Sequence, residues 1–321
     1  MIGFKTVREL GLLGMNRRNA EYLLPRNERK LYPLVDDKLK TKDLLYTHQL
    51  PAPELYFVIN HNFEVKYLRE IKFLKEFVIK PARGAEGRGI LVIQGKTGNE
   101  WRKASGAALT MDDIEYHVTN ILAGLYSLGG TTDIAFIEYC VRSHIVFRPV
   151  AYQGVPDMRV ILYRGIPMMS MLRLPTRESD GKANLHQGAV GAGIDILSGV
   201  TLGGVHHNYL IDRHPDTNVP IGGIRIPFWN EILETAAKVY DVFQLGYFGI
   251  DFVIDHLLGP LILELNARPG LNIQLANREG LLPRLREIDA LGPGVEELKW
   301  ERRLEITRKI VGKAGARLTG N

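Results

Sequence analysis

Two apolar segments, separated by a short connection, constrain the fold of this chain more than any other feature. The first is Gly249-Ile-Asp-Phe-Val-Ile-Asp and the second is Gly259-Pro-Leu-Ile-Leu-Glu-Leu-Asn. Valine, isoleucine, leucine and phenylalanine dominate both segments and favour strands, so the sequence predicts an antiparallel hairpin. In the predicted register, Ile254 faces Leu261 across the turn.

Three oxygen-bearing side chains of this hairpin, Asp251, Glu264 and Asn266, are suited to hold a metal ion. The predicted register sets Asp251 opposite Glu264, and strand alternation puts Glu264 and Asn266 on one face. Two facing carboxylates in an apolar sheet repel each other unless a cation lies between them. So few oxygen ligands suit Mg²⁺, which keeps positions for water and phosphates, better than Ca²⁺. The alternative is an acidic hairpin that faces solvent.

The composition is that of a globular protein. Of the 321 residues, 45% are hydrophobic and 24% are charged, which is enough for a substantial core in two or three subdomains. A single cysteine, Cys140, excludes a disulfide framework and favours a reducing compartment. No apolar run is long enough to span a bilayer, and the N-terminus lacks the apolar core of a secretion signal. We therefore expect a cytoplasmic protein that is not an integral membrane protein.

The net charge of +5 permits binding to nucleic acid, but the arrangement of the charges does not favour it. Basic residues are spread along the chain and mixed with acids, as on a solvated surface, and a few of them would serve an anionic substrate such as a nucleotide. The sequence lacks a surface pattern of interleaved aromatic and basic residues. It therefore predicts no nucleic-acid partner.

A glycine-rich segment that follows a lysine-ended strand is the candidate phosphate-binding element. The strand is predicted over 77–81, and its Lys80 can neutralise phosphate charge. Beyond it, Gly84, Gly87 and Gly89 allow the backbone to approach a phosphate closely. The pattern is neither a P-loop nor a dinucleotide-binding turn, and it favours a hairpin that covers phosphates. An ordinary glycine-rich turn is the alternative.

Four further charged side chains stand out by their surroundings. A helix is predicted to begin at one of the two aspartates before Lys38. A buried strand is predicted over 135–141, where Glu138 is either a structural acid or an acceptor for a ligand. Arg159 and Arg173 lie on apolar strands, where burial without an anionic partner would be costly, so their positions favour function.

The segment that follows these strands is rich in glycine and then in histidine. We expect residues 188–204 to form loops that become ordered when substrate binds. His206, His207 and His214 lie near two aspartates and could suggest a zinc site, but they lack clear ligand spacing. We favour a role for them at the rim of the acceptor side.

The order of these motifs resembles the ATP-grasp superfamily, and most of all its RimK-like branch, the alpha-L-glutamate ligase-related proteins. The resemblance extends from about Asp36 to Leu282. ATP-grasp ligases usually carry a larger N-terminal domain than the residues before Asp36, and this shortening resembles the branch linked to sugar-transfer and envelope gene clusters. The resemblance implies an α+β ATP-grasp fold of two α+β subdomains with nucleotide bound between them. The implied segments are a helical N-terminal segment at 1–36, a small subdomain with the phosphate loop at 37–137, a large subdomain with the metal site at 138–285, and a helical tail at 286–321.

The same resemblance assigns roles to single residues. The implied nucleotide-binding residues are Lys38, Lys80, Gly84, Gly87, Gly89, Glu138, Tyr139, Cys140, Val141 and Gly188. The implied catalytic residues are Arg159, Arg173, Asn184 and Arg268. The implied ligands of Mg²⁺, with Mn²⁺ as an alternative ion, are Asp251, Glu264 and Asn266.

The activity that the resemblance implies is that of a carboxylate-amine ligase. A carboxylate attacks the γ-phosphate of ATP to give an acylphosphate and ADP, and an amine then displaces phosphate to form an amide. Such chemistry depends on positioning and charge neutralisation more than on a protein nucleophile, which agrees with the residue types. The substrates would be ATP with an amino acid, a peptide or an envelope precursor, and a homo-oligomer is left open. The alternative is an ATP-binding regulatory or scaffold protein without turnover.

Overall fold

The protein is described here by a computed structural model that covers residues 10–84, 87–103 and 105–318. Ala85 and Glu86 of the predicted phosphate loop lie outside the described residues. The first nine residues of the predicted N-terminal segment and the last three of the predicted tail lie outside them as well.

The chain divides into two compact units, each with its own sheet. The larger unit comprises Met1–Asp36, Asp43–Pro51 and Ser143–Asn321, and the smaller unit comprises Asp37–Lys42 and Ala52–Arg142. Both sheets are antiparallel, and both units contain helices. The predicted α+β class is therefore confirmed.

Helices of different lengths are distributed along the described part of the chain. The α-helices are α1 (Met15–Arg17), α2 (Pro33–Asp36), α3 (Lys38–Thr47), α4 (Met111–Leu122), α5 (Trp229–Phe243), α6 (Ile273–Asn277), α7 (Leu282–Asp289) and α8 (Trp300–Leu318). A π-helical stretch, Arg18–Leu23, follows α1, and a 3₁₀ helix spans Asn62–Phe73. None of the helices in the described ranges is long and apolar enough to cross a membrane.

The smaller unit is built on a sheet with the strand order β1-β6-β2-β3-β4-β5. Its strands are β1 (Leu55–Ile59), β2 (Phe77–Pro81), β3 (Leu91–Thr97), β4 (Glu100–Lys103), β5 (Ala108–Leu109) and β6 (Ala135–Glu138). Strands β2 and β3 pair antiparallel on either side of the glycine-rich segment, so the predicted order of strand, loop and strand is confirmed.

The core of the smaller unit lies on one face of its sheet. Phe77 and Ile79 of β2 belong to this core together with Ile114 and Val118, which are one helical turn apart on α4. Strand alternation then places Lys80, the neighbour of Ile79, on the opposite face. The sequence of β2 therefore fixes which side of the sheet carries the lysine.

The larger unit is built on a sheet with the strand order β11-β10-β9-β8-β7-β12-β13. Its strands are β7 (Asp157–Tyr163), β8 (Ile166–Leu174), β9 (Val190–Asp195), β10 (Val200–His206), β11 (Tyr209–Ile211), β12 (Tyr247–Asp255) and β13 (Gly259–Asn266). Helix α5 buries Ile232, Ala236, Val239 and Phe243, which lie along one face at helical spacing. This apolar face holds α5 in the core of the unit.

Strands β12 and β13 form the predicted hairpin, and Asp251 lies opposite Glu264 as predicted. The predicted pairing of Ile254 with Leu261 is wrong, because Ile254 pairs with Pro260. A register shift between Asp251 and Phe252 accounts for the difference, since Phe252 pairs with Ile262 and leaves the next residue of β13 without an opposite partner. This β-bulge restores the predicted pairing at the acidic residues.

The prediction of loops over 188–204 is wrong, because β9 and β10 occupy most of that segment. The glycines serve close packing instead of flexibility. A Cβ atom on Gly193 would lie 2.4 Å from the carbonyl oxygen of Ala276, in α6. A larger residue at Gly193 would push the strand away from that helix.

Candidate functional site

Four neighbouring strands of the larger unit bring charged side chains together around Asp251. In the sheet, Asp251 of β12 pairs with Arg159 of β7 on one side and with Glu264 of β13 on the other. On the next strand, Arg173 of β8 pairs with Asp157 of β7. Because side chains alternate along a strand, Asp157 and Arg159 lie on the same face of β7.

Asp251 is fully buried and is held by both arginines. Arg159 donates from Nε to Oδ1 at 2.7 Å and from Nη2 to Oδ2 at 2.6 Å, which is a bidentate contact. Arg173 donates from Nη2 to Oδ2 at 2.7 Å. Burial opposes ionisation of the carboxyl group, but the two arginines outweigh it and hold the pKa of Asp251 below its usual range. Asp251 is therefore a carboxylate whose charge depends on its arginine partners.

Asp157 completes this cluster, although sequence reasoning assigned it no role. Arg173 donates to it twice, and the contact from Nη2 to Oδ2 is 2.6 Å. Burial raises the pKa of Asp157, and the nearby Asp251 adds to the rise, whereas Arg173 opposes it. The available signal was the spacing of Asp157 and Arg159, two residues apart on a strand, which places an acid beside the arginine.

Asn266 links the two carboxylates of the hairpin. Its Nδ2 atom donates to Asp251 Oδ2 at 2.9 Å and to Glu264 Oε1 at 3.1 Å. If the amide turned by half a rotation, Oδ1 would take the place of Nδ2 and three oxygen donors would face one point. Adjacent ligand atoms around Mg²⁺ are about 3.0 Å apart, given bonds of about 2.1 Å in an octahedron. The donor set and its spacing therefore fit a hard divalent cation such as Mg²⁺.

A second buried ion cluster lies in the smaller unit and is centred on Glu138, at the end of β6. Glu138 is 1% exposed. Lys80 contacts its Oε1 atom, and Lys42 Nζ lies 2.7 Å from its Oε2 atom. Burial opposes the charge of Glu138, but Lys80 and Lys42 together lower its pKa below the usual range. The side chain at Glu138 thus serves to hold two lysines in place.

Lys42 was missed by sequence reasoning, which noted only Lys38 on the same helix. Lys42 lies one turn further along α3 and is 5% exposed. Burial lowers its pKa, and Glu138 opposes the fall. The four-residue spacing from Lys38 was the available signal, because it places both lysines on one side of the helix.

Lys38 touches the start of the glycine-rich segment. Its Nζ atom donates to the carbonyl oxygen of Gly84 at 2.6 Å. Asp37 caps α3, because its Oδ1 atom accepts hydrogen bonds from the backbone N–H groups of Leu39 at 3.1 Å and Lys40 at 3.3 Å. Gly87 and Gly89 both adopt φ of +73°, a conformation that favours glycine. The structure therefore joins Lys38 to the loop that the sequence predicted to cover phosphates.

The predicted strand over 135–141 is too long, because β6 ends at Glu138 and residues 139–141 belong to no strand. The backbone N–H of Tyr139 donates to the carbonyl oxygen of Glu54 at 2.8 Å. Cys140 is buried, Val141 is half-buried, and burial raises the pKa of the Cys140 thiol to about 11. A thiol with that pKa stays protonated near neutral pH, which disfavours a role as a nucleophile.

Three of the predicted site residues make their polar contacts away from Asp251. Asn184 accepts from the backbone N–H of His186 at 3.0 Å, and the Arg268 guanidinium stacks on the Tyr32 ring at 4.5 Å. The carbonyl oxygen of Gly188 accepts hydrogen bonds from Thr176 and from a histidine of β10. The Asp251 cluster thus includes Arg159 and Arg173 but not these three.

Comparison with known proteins gives one family match and several distant structural likenesses. The family described as sugar-transfer associated ATP-grasp matches residues 17–290 of the chain. No curated protein matches the sequence significantly.

The solved structures that resemble the chain have low sequence identity to it. The ATP-grasp ligase PsnB, solved with a minimal precursor, is 14% identical with a TM-score of 0.44, and the match covers 83% of this chain and 62% of PsnB. D-alanine–D-alanine ligase from Bacillus anthracis is 12% identical with a TM-score of 0.45, and the match covers 90% and 71%. D-cycloserine synthetase DcsG is 16% identical with a TM-score of 0.44, and the match covers 85% and 73%. These scores are too low to transfer an activity.

Proposed function

Because the chain belongs to the sugar-transfer-associated ATP-grasp family, we propose that it is an ATP- and Mg²⁺-dependent ligase that joins a carboxylate to an amine. The observation that carries the proposal is the buried cluster in which Arg159 and Arg173 hold Asp251 beside Glu264 and Asn266. A relationship to the RimK-like branch is part of the proposal and is supported by the order of the sequence motifs.

The arginine geometry supports a role in binding phosphate. Arg159 and Arg173 each use Nε and Nη2 to hold carboxylates, and each is 11% exposed at its side chain. Within the described residues, neither Nη1 group has a hydrogen-bond acceptor. A guanidinium that is oriented by a carboxylate on one edge can donate from its other edge to a phosphate oxygen. We assign this task to both residues.

The lysines support the binding of a triphosphate. Lys80 is oriented by Glu138 and Lys38 by the carbonyl oxygen of Gly84. An ammonium group carries three N–H donors, so a lysine that is oriented by one acceptor can also donate to a phosphate oxygen. The glycines at 84, 87 and 89 would then cover the phosphates and keep water away from the reacting groups.

The proposed metal ligands are Asp251, Glu264 and Asn266, with Asn266 turned to present its Oδ1 atom. Mg²⁺ would neutralise charge on the β- and γ-phosphate oxygens. In the proposed reaction a carboxylate oxygen bonds to the γ-phosphorus as ADP leaves, and the amine nitrogen then bonds to the acyl carbon as phosphate leaves. Arg159 and Arg173 would stabilise the charge that develops on the transferred phosphoryl group.

The test is a screen of amino acids and peptides for ADP release that depends on both a carboxylate and an amine, with mass spectrometry of the product. We expect Glu264→Gln to lower the rate by about 100-fold or more, the usual cost of losing a transition-state charge contact. Glu301→Gln, at an exposed position on α8, is the matched control and should keep the wild-type rate. Release of AMP, or bound ATP that no carboxylate and amine pair converts to ADP, would contradict the proposal and favour a regulatory ATP-binding protein.

A further inference from the structure

A histidine and glutamate cluster lies in the larger unit, outside the residues assigned to nucleotide and Mg²⁺. It consists of Glu178, His206 and His207, and we call it the Glu178 cluster. His207 Nε2 is 2.9 Å from Glu178 Oε2, and His206 Nε2 is 3.5 Å from the same oxygen. One nitrogen or oxygen atom from each of the three residues lies within 4.8 Å of the other two. Three side chains that can bind a metal thus face one point.

The hairpin turn between β10 and β11 is what brings the two histidines to one side. Adjacent residues of a regular strand point to opposite faces. Here His206 ends β10 and pairs with Tyr209, and the two turn residues, His207 and Asn208, have φ values of +47° and +67°. Two left-handed residues in a two-residue turn form the tight hairpin that matches strand twist. The two imidazole centroids are consequently 4.2 Å apart.

Gly188 makes room for the carboxylate that faces these histidines. It has a φ of +95°, and a Cβ atom at this position would lie 2.6 Å from Cδ of Glu178. Its carbonyl oxygen accepts a hydrogen bond from His206 Nε2 at 3.0 Å, a contact that metal binding at this nitrogen would replace. A side chain at Gly188 would therefore displace Glu178 from the histidines, so the glycine is part of the geometry of the cluster.

We propose that the Glu178 cluster is a binding site for Zn²⁺ or a similar borderline transition-metal ion. Two imidazole nitrogens and one carboxylate oxygen are a zinc ligand set, whereas Mg²⁺ prefers oxygen ligands alone. A tetrahedral ion with bonds of about 2.0–2.1 Å separates its ligand atoms by about 3.4 Å. The distances of 2.9 and 3.5 Å from Glu178 Oε2 to the two imidazoles lie on either side of that value.

The exposure of the cluster leaves a coordination position for water. The side chains of Glu178 and His207 are 56% and 48% exposed, so solvent reaches the point that they face. The ion would connect the segment between β8 and β9, which carries Glu178, to the β10–β11 hairpin, which carries both histidines. Its role is therefore to hold these two segments together.

The experiment is a titration of the full chain with Zn²⁺ and with Co²⁺ in excess Mg²⁺, so that hard-cation sites are saturated. We expect one equivalent of Zn²⁺ to bind, a visible absorption band of four-coordinate Co²⁺, and a higher Tm with Zn²⁺ than with EDTA. Glu178→Gln and His207→Ala should each weaken Zn²⁺ binding by more than about tenfold, because even residues that only support metal ligands contribute that much. The exposed His186→Ala, in the same loop, is the matched control and should bind Zn²⁺ as the wild type does.

Equal Zn²⁺ affinity in all four proteins, or no binding at micromolar metal, would overturn the proposal and leave an ordinary hydrogen-bonded pair of Glu178 and His207. Both substitutions are at exposed positions, so we expect the variants to fold. Their Tm values in EDTA measure this. The Glu264→Gln variant, which lacks a proposed Mg²⁺ ligand, should keep its Zn²⁺ affinity. This result separates the Glu178 cluster from the proposed Mg²⁺ site, so either proposal can fail alone.

Discussion

The two buried ion clusters, one in each unit, carry opposite formal charge. In the larger unit, the carboxyl groups of Asp157, Asp251 and Glu264 outnumber the guanidinium groups of Arg159 and Arg173 by one, and the excess charge is complete above the Asp157 pKa, which burial raises to about 7. In the smaller unit, two ammonium groups outnumber the single carboxylate of Glu138 by one. Buried charges need partners of opposite charge, so the sign of the excess charge indicates the charge of the ligand that each cluster binds. The larger unit is suited to a cation and the smaller unit to an anion.

The clusters also differ in how firmly their cations are held. The planar guanidinium group of Arg159 donates two parallel hydrogen bonds to Asp251, and an arginine does not lose its proton in a protein. Lys42 and Lys80 approach Glu138 as point charges, and burial lowers the pKa of Lys42, which can therefore become neutral. Loss of the acid should therefore be costlier in the arginine cluster.

The largest expected effect comes from Asp251→Asn. The substitution leaves two arginines without their shared carboxylate, so we expect the free energy of unfolding to fall by about 3–5 kcal/mol. Urea unfolding of the variant beside Asp43→Asn, at an exposed position, measures the difference. A loss below about 1 kcal/mol, within the range of ordinary surface substitutions, would show that the arginines find other partners.

Glu138→Gln should cost less, about 2–3 kcal/mol at neutral pH, because the buried Lys42 can release a proton when its carboxylate partner is removed. Burial already lowers the pKa of Lys42, and losing Glu138 lowers it further. The unfolded chain then binds more protons than the folded one, so the variant regains stability relative to the wild type as pH rises from neutral toward the unfolded lysine pKa of about 10.4. Urea unfolding as a function of pH tests this, and Glu301→Gln, at an exposed position, serves as the comparison that should gain nothing.

Arg173→Lys tests whether the planar guanidinium group, beyond its positive charge, is needed at this position. A lysine cannot span Asp157 and Asp251 as the guanidinium does, so we expect a loss of about 1–2 kcal/mol in unfolding free energy. The proposed ADP release should fall by about 100-fold, because the phosphate-facing donor is lost. Arg225→Lys, at an exposed position, is the control, and equal rates in both variants would mean that charge alone is needed at Arg173.

The smallest change in stability is expected for Lys38→Met. Its half-buried side chain donates a hydrogen bond to the loop carbonyl of Gly84, so we expect the free energy of unfolding to fall by about 1 kcal/mol, the usual net contribution of one hydrogen bond. Affinity for ATP should nevertheless fall about tenfold, the size of one charge-assisted contact. Calorimetric titration beside the exposed Lys40→Met measures this, and equal affinities would remove Lys38 from the proposed phosphate site.

The sequence predicted those parts of the site that depend on strand composition and alternation. The hairpin, the facing of Asp251 and Glu264, and the paired strands around the glycine-rich segment are of this kind. The spacing from Lys38 places Lys42 on the same side of α3, but its burial depends on Glu138, nearly a hundred residues away in the chain, and local sequence does not reveal that contact. The strands over 188–204 were missed because glycine favours loops in a local sequence. Glycine is needed at position 193 because a helix far along the chain packs against it.

Leu263, the residue of β13 that has no opposite partner, separates two registers in the hairpin. From the turn to Phe252 the two strands pair without interruption, and beyond Leu263 the pairing is shifted by one residue of β13. Deleting Leu263 would make Glu264 follow Ile262 directly, so the register set by the tip would itself place Glu264 opposite Asp251 without a bulge. A single residue with no partner thus lets the tip and the acidic pair keep different registers.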